Sequence, residues 1–209
     1  MFRQLSPVRN VYIPNMDRLF TPWRYAYISG QDESQRKKGV PLKLAAWPGD
    51  LNCVFCNIIA AVEYAVDHGM DRAEAEESVG LLERGNTCFL ILNAFPYTNG
   101  HLMIVPYCHN ASLTSLPTAT TIELMLLMRR AERVLRKVYK PEGLNMGLNL
   151  GTSAGAGVAQ HLHVHALPRW TGDSNFMTVV AETRVLPELL TESWMRIRSA
   201  LAMDAAEQM

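Results

Sequence analysis

An α+β domain built on a five-stranded antiparallel sheet is the fold class that this sequence predicts. Three observations carry that expectation. Five apolar runs of strand length are joined by hairpin turns, loops or one helix. The connection between the third and fourth runs is a single long amphipathic helix. The last run alternates histidine with apolar residues, which is the period of a strand. No internal repeat is visible, and 209 residues suit one domain with extensions.

In order along the chain, residues 1 to 30 hold an aromatic cluster, Phe20-Thr21-Pro22-Trp23-Arg24-Tyr25-Ala26-Tyr27, expected to pack as a flap. Residues 31 to 41, with Arg36-Lys37-Lys38, read as a solvated loop. A short helix follows the stretch Asn52-Cys53-Val54-Phe55-Cys56-Asn57-Ile58-Ile59, and Asp71 to Ser78 reads as a second helix or an insertion. Gly80 to Arg84 and Thr87 to Asn93 are apolar enough for two strands, with Gly85-Asn86 as a tight turn. A loop from Ala94 to Gly100 leads into a third strand, His101 to Pro106. Thr120 and Glu123 have the spacing of a capping box, with Thr120 as N-cap. The helix behind them repeats apolar residues at Leu124, Leu127, Met128, Ala131, Val134, Leu135 and Val138, and should end near Lys140-Pro141. Gly143 to Leu150 is a fourth strand, the glycine-rich stretch Gly151 to Gly157 a turn, and the histidine run the fifth strand. A last helix is expected from near Pro187 to about Met203.

Composition narrows the function. Twenty Lys and Arg balance twenty Asp and Glu, so nothing implies electrostatic binding to a nucleic acid polymer or an anionic membrane. An anionic ligand would need a local site. No stretch reaches membrane-spanning length, and Met1 to Pro7 lacks the apolar core of a signal peptide, so the expectation is a soluble cytoplasmic protein.

The chemistry concentrates in Gln160-His161-Leu162-His163-Val164-His165-Ala166-Leu167-Pro168-Arg169-Trp170. On a strand, residues two apart share a face, so three imidazoles line one side while Leu162, Val164 and Ala166 pack behind them. Each neutral ring needs both nitrogens satisfied, which makes packing a poor explanation for three in a row. The run reads as a reactive or metal-binding surface. Cys53 and Cys56 form a Cys-x-x-Cys pair, whose spacing suits either metal or redox chemistry. Backbone amides of the Gly151 to Gly157 turn would suit anionic oxygens.

His161 to Leu167 has the His-apolar-His-apolar-His-apolar-apolar form of the histidine triad superfamily, which the chain therefore resembles. Asn93 to His101 followed by Leu102-Met103-Ile104-Val105-Pro106 is similar to that family's second signature. The run from Gly147 to Gly155 and the Pro168-Arg169-Trp170 tail look most like the dinucleoside tetraphosphate phosphorylase branch. The Leu-Pro-Arg ending is also similar to the fragile histidine triad hydrolases. The resemblance assigns residues 50–170 to the HIT domain, with extensions at 1–49 and 171–209.

The resemblance implies attack on a nucleotide α-phosphate by the middle histidine, His163, forming a covalent nucleotide intermediate. To present one nitrogen to phosphorus, His163 should donate from the other to a backbone carbonyl. His165 on the same face would donate to a phosphate oxygen or the leaving group, and His101 would orient the triad strand. Substrate contacts fall on Asn93, Asn149, Gly155, Ala156, Gly157 and Trp170. The family also implies a structural zinc on Cys53, Cys56, His109 and His161, with Cys108 a possible substitute ligand, and a homodimer. One departure stands out. Phosphorylase-like members carry a Gly-Gly-Ser type end to the loop, where this chain has Gly155-Ala156-Gly157. Loss of that hydroxyl favours water as second nucleophile. The expectation is a nucleotide hydrolase or nucleotidyltransferase that cleaves dinucleoside polyphosphates. The alternatives are a diadenosine tetraphosphate phosphorylase (ATP adenylyltransferase) and an adenosine phosphoramidase.

Overall fold

A computed structural model describes residues 39–173 and 188–207. The aromatic flap, the Arg36-Lys37-Lys38 loop and the expected helix start at Pro187 lie outside the described residues. After a 3-10 turn at Leu42–Leu44 come α1 (Val54–Asp67), α2 (Arg72–Val79), β1 (Leu81–Arg84), β2 (Cys88–Leu92) and β3 (Leu102–Pro106). Then follow α3 (Thr118–Tyr139), β4 (Gly143–Leu148), β5 (Val164–Arg169) and α4 (Leu190–Glu207). The five strands form one sheet in the order β1-β2-β3-β5-β4, and every neighbouring pair is antiparallel. The histidine run thus feeds an interior strand, while β4 takes an edge. No helix among the described residues is long and apolar enough to cross a membrane.

The two faces of the sheet are covered differently. One face presents Leu90, Leu92, Leu102, Ile104, Val164 and Ala166 to α3 and α4 in a continuous apolar core. The stripe expected on α3 is the one buried there: Leu124, Leu127, Ala131, Val134 and Leu135, with Met128 and Val138 packed alongside. Helix α4 belongs to the same core, since Trp194, Ile197, Ala200 and Leu201 are buried in it and the Trp194 indole donates to the Leu81 carbonyl at 2.8 Å. Asp204 ties α4 to α3 by accepting two hydrogen bonds from Arg133, 2.9 and 3.0 Å. The other face carries Phe89, Ile91, Met103 and Val105, over which α1 lays Phe55 and Ile58. Toward β4 this face opens to solvent at Asn145 and Gly147. Val40, Leu44 and Trp47 pack against α1 and α2 in a third, smaller cluster.

Local signals explain most boundaries. Asp71 caps α2 by accepting from the Glu74 amide at 3.0 Å, and Gly80 ends it in a left-handed conformation, φ 75°. Two expectations are corrected. The capping box does not form: α3 begins three residues earlier, behind Pro117 as N-cap, and Thr120 is buried inside its first turn. Glu123 turns away to the β1–β2 hairpin, accepting from the amides of Asn86 (2.7 Å) and Thr87 (2.5 Å) and from the Thr87 hydroxyl. A carboxylate that satisfies three donors at a turn outcompetes one return bond at the helix start. Secondly, strand pairing in β5 starts at Val164, so His161 and His163 precede the ladder and only His165 lies within it.

Candidate active site and metal centre

The histidine run enters the sheet from a loop. The Leu162 amide donates to the Asn110 carbonyl at 2.7 Å, which holds the run beside the segment that carries His109. Within β5, His165 lies between Met103 of β3 and Gly147 of β4. Because Gly147 has no side chain and a Cβ there would meet nothing within 4 Å, the face around His165 stays open toward β4.

Four imidazoles have their tautomers set by neighbours whose role as donor or acceptor is fixed. His163 Nδ1 lies 2.9 Å from the His161 carbonyl, so Nδ1 carries the proton and Nε2 the lone pair. His161 Nε2 lies 2.9 Å from the Pro106 carbonyl, which leaves the lone pair on Nδ1. The Tyr97 backbone amide donates to His101 Nδ1 at 3.2 Å, so the proton of His101 sits on Nε2. That proton is donated to His165 Nδ1 at 2.9 Å, which in turn places the His165 proton on Nε2. The result is a nucleophilic nitrogen on His163 beside a donor on His165, with ring centroids 4.9 Å apart.

Burial adds an electrostatic bias. It pushes His161 down to about 4 and holds His163 below the ordinary imidazole value, so both rings are neutral near pH 7. Phe55 supplies much of that burial, its ring centroid 5.3 Å from His161 and 5.1 Å from His163. The Cys-x-x-Cys pair therefore brings more than two thiols to the site. The residue between them backs the nucleophile.

Cys53, Cys56, His109 and His161 converge, with one donor atom of each within 4.8 Å of all the others. His161 Nδ1 lies 3.3 Å from Cys53 Sγ and 3.6 Å from Cys56 Sγ, and Cys56 Sγ lies 3.4 Å from His109 Nδ1. Bond lengths of about 2.0–2.3 Å in a tetrahedral metal site put N and S donors about 3.5 Å apart, so the set fits a divalent cation. Burial, then the neighbouring Cys53, push the Cys56 thiol up to about 11. That thiol is thus protonated until a cation displaces the proton. Cys108 is exposed and falls outside this group.

The remaining sequence candidates are spread out. Asn93 accepts from the Phe95 amide at 2.9 Å and places Nδ2 3.2 Å from His101 Nδ1, so it braces the loop that orients His101. Residues 151–157 turn through left-handed glycines at Gly151 and Gly155, φ 84° and 89°, around a 3-10 turn at Thr152–Ala154. Asn149 Nδ2 lies 3.9 Å from where a Gly155 Cβ would stand. Gly155 and Gly157 are exposed and Ala156 half-buried. Trp170 sits past the end of β5, edge-on to Tyr139 at 6.4 Å and five positions along the chain from His165. Sequence reasoning missed Phe55 and Tyr97. The Cys-Val-Phe-Cys spacing marks Phe55 as the apolar residue inside a metal knuckle, whereas Tyr97 acts through its backbone, which no side chain advertises.

Against known proteins, the HIT domain family model matches residues 75–172. The chain is 43% identical over 134 residues to the AP-4-A phosphorylase of Mycobacterium tuberculosis, covering 64% of this chain and 67% of that protein. It is 31% identical over 158 residues to an uncharacterized HIT-like protein of the same organism, covering 75% of this chain and 98% of that one. A crystal structure of a Zn-bound histidine triad family protein from Mycobacterium smegmatis superposes with a TM-score of 0.54 and 28% identity, covering 76% of this chain and 99% of that chain.

Proposed function

This chain belongs to the histidine triad (HIT) family, and from that premise we propose that it cleaves dinucleoside polyphosphates of the diadenosine tetraphosphate type through a nucleotide bound covalently to His163. The observation that carries the reading is the fixed tautomer pair: a lone pair on His163 Nε2 beside a proton on His165 Nε2. In the first step, His163 Nε2 forms a bond to the α-phosphorus and the bond to the bridging oxygen breaks. With diadenosine tetraphosphate, ATP leaves and AMP stays on His163. His165 Nε2–H donates to the oxygen of the departing polyphosphate as charge builds on it. The His161 carbonyl stabilises the cationic ring of the intermediate through Nδ1–H. In the second step, an acceptor oxygen attacks phosphorus and the P–N bond breaks, restoring neutral His163.

Inorganic phosphate is the acceptor we favour, on the 43% identity to an AP-4-A phosphorylase. The products are then ADP and ATP. Gly155-Ala156-Gly157 favours a second reading, because those three positions offer no side-chain hydroxyl to an incoming phosphate. Water would then give AMP and ATP. We assign zinc to Cys53, Cys56, His109 and His161, where four protein donors make a closed structural site. Held there, the ion would cross-link α1 to the histidine run, with Cys53 and Cys56 as thiolate ligands whose protons pass to solvent. The chain's own part is to place His161, whose carbonyl orients His163.

The test is to incubate the purified protein with diadenosine tetraphosphate and oxygen-labelled phosphate. Label in ADP establishes phosphorolysis. AMP and ATP formed independently of phosphate establish hydrolysis. No cleavage, with turnover of an adenosine phosphoramidate instead, overturns the substrate assignment.

A further inference from the structure

Tyr139, the last residue of α3, lies on the helix side of the sheet, below the turn that ends at His101. Gly100 sits directly against its ring. A Cβ on Gly100 would stand 2.9 Å from ring carbons Cδ2 and Cζ and closer still to Cε2, so ring and backbone are in closest contact here. Gly100 also has φ 71°, a left-handed conformation that favours glycine. The next residue, His101, is fully buried and donates from Nε2 to His165 Nδ1 at 2.9 Å.

The ring is itself held from the C-terminal segment. The Tyr139 hydroxyl donates to Glu188 Oε2 at 2.7 Å. Ser193 Oγ donates to the same oxygen at 2.9 Å, and Arg196 pairs with the other. Arg196 also covers the ring face at 4.9 Å and donates to the Val138 carbonyl at 2.9 Å, while Trp170 closes an edge. Gly100, Glu188, Arg196 and Trp170 thus converge on a side chain that touches no reacting atom. Ordinary core packing would need only the ring.

We propose that Tyr139 is a positioning residue for the His101–His165 pair, a wedge beneath Gly100 that Glu188 and Arg196 at the start of α4 hold in place. The kinetic part rests on the reading that His165 assists departure of the polyphosphate. The residues after Trp170 thereby contribute to catalysis from the far side of the sheet.

Two measurements test this in the full chain. Imidazole N–H resonances report the His101–His165 hydrogen bond without any substrate. In the wild type, the His101 Nε2 proton should exchange slowly. In Tyr139→Leu it should exchange fast or vanish, while the His163 Nδ1 proton stays protected, and Tyr139→Phe, which keeps the ring but loses the hydroxyl held by Glu188, should fall between. Glu188→Gln, which keeps the ring and loosens its clamp, should speed exchange even if Tyr139→Leu fails to fold. A proton unchanged in Glu188→Gln and in any folded Tyr139→Leu overturns the inference, whatever the protein cleaves. Kinetically, Tyr139→Leu should lower kcat on diadenosine tetraphosphate by about 10-fold or more with KM little changed. The loss should be larger on an adenosine phosphoramidate, whose amine leaving group cannot depart without a proton. Equal loss on both substrates marks a merely structural role and overturns the proposal. A wild type inactive on the dinucleotide counts against the substrate reading alone, because the proton measurement still decides the wedge.

Discussion

His161 and His163 are two residues apart, both buried and both neutral, yet they present opposite nitrogens. His161 gives its Nε2 proton to the Pro106 carbonyl and turns Nδ1 toward two thiols. His163 gives its Nδ1 proton to the His161 carbonyl and keeps the lone pair on Nε2. On the proposed reading, a metal ligand and a nucleophile are made from the same side chain by moving one carbonyl acceptor. The first region is closed by donors on every side. The second opens toward Gly147 and the solvent edge of the sheet.

The largest effect should separate the two regions outright. His163→Ala is expected to lower turnover by about four orders of magnitude, with metal content unchanged by elemental analysis. A parallel loss of metal would show that the two imidazoles are one site. Cys53→Ser is the mirror experiment. It should strip the ion, and since such a site can contribute on the order of 10 kcal/mol to folding, the thermal midpoint should fall sharply. Unaltered melting would leave the knuckle without a structural role.

Phe55 touches both regions and so sharpens the comparison. Phe55→Ala should cost about 3–5 kcal/mol of stability, read by denaturant unfolding. It should also move the pH profile. Burial lowers the pKa of His163, so its reactive neutral form persists below pH 6.5 and is lost as pH falls through that lowered value. A cation on His161 pushes the same way. Opening the pocket should raise the acid limb of kcat/KM toward 6.5. An acid limb that stays in place would mean that Phe55 does not desolvate the nucleophile.

Smaller losses fall on the donor side. His165→Asn should reduce kcat by about 100-fold without touching metal content, and His101→Asn by less, since it acts through His165. Away from both regions, Glu123→Ala should destabilise the hairpin by about 1–2 kcal/mol and leave kinetics unchanged, which controls for effects of stability alone.

Much of this was legible in the chain. The apolar stripe of α3 is the buried one because a helix has one period and one neighbouring core. The Gly85-Asn86 hairpin formed where its spacing predicted, with its flanking strands paired across it, Arg84 with Phe89 and Glu83 with Leu90, and the Gly85 amide donating to the Cys88 carbonyl at 2.8 Å. Alternation placed Leu162, Val164 and Ala166 behind the histidines, and all three are buried. Glu123 went the other way. Its spacing to Thr120 obeys a local rule, but its carboxylate found three donors about 36 residues back, at a turn that only folding brings near. The four metal-site residues are another case. They share no periodicity, and their convergence rests on α1 lying across the sheet and on the Leu162–Asn110 hydrogen bond.

Residue types and their period are properties of the chain alone. They settle which side chains can carry a proton or bind a metal, and which face of a strand or helix meets water. Tautomer, pKa and the opening over β4 depend on groups far along the chain. Pro106 fixes His161, Tyr97 fixes His101, Phe55 desolvates His163, and Gly147 leaves His165 uncovered. A hydrogen bond acts over about 3 Å, and only the folded chain brings acceptors from distant segments within that reach.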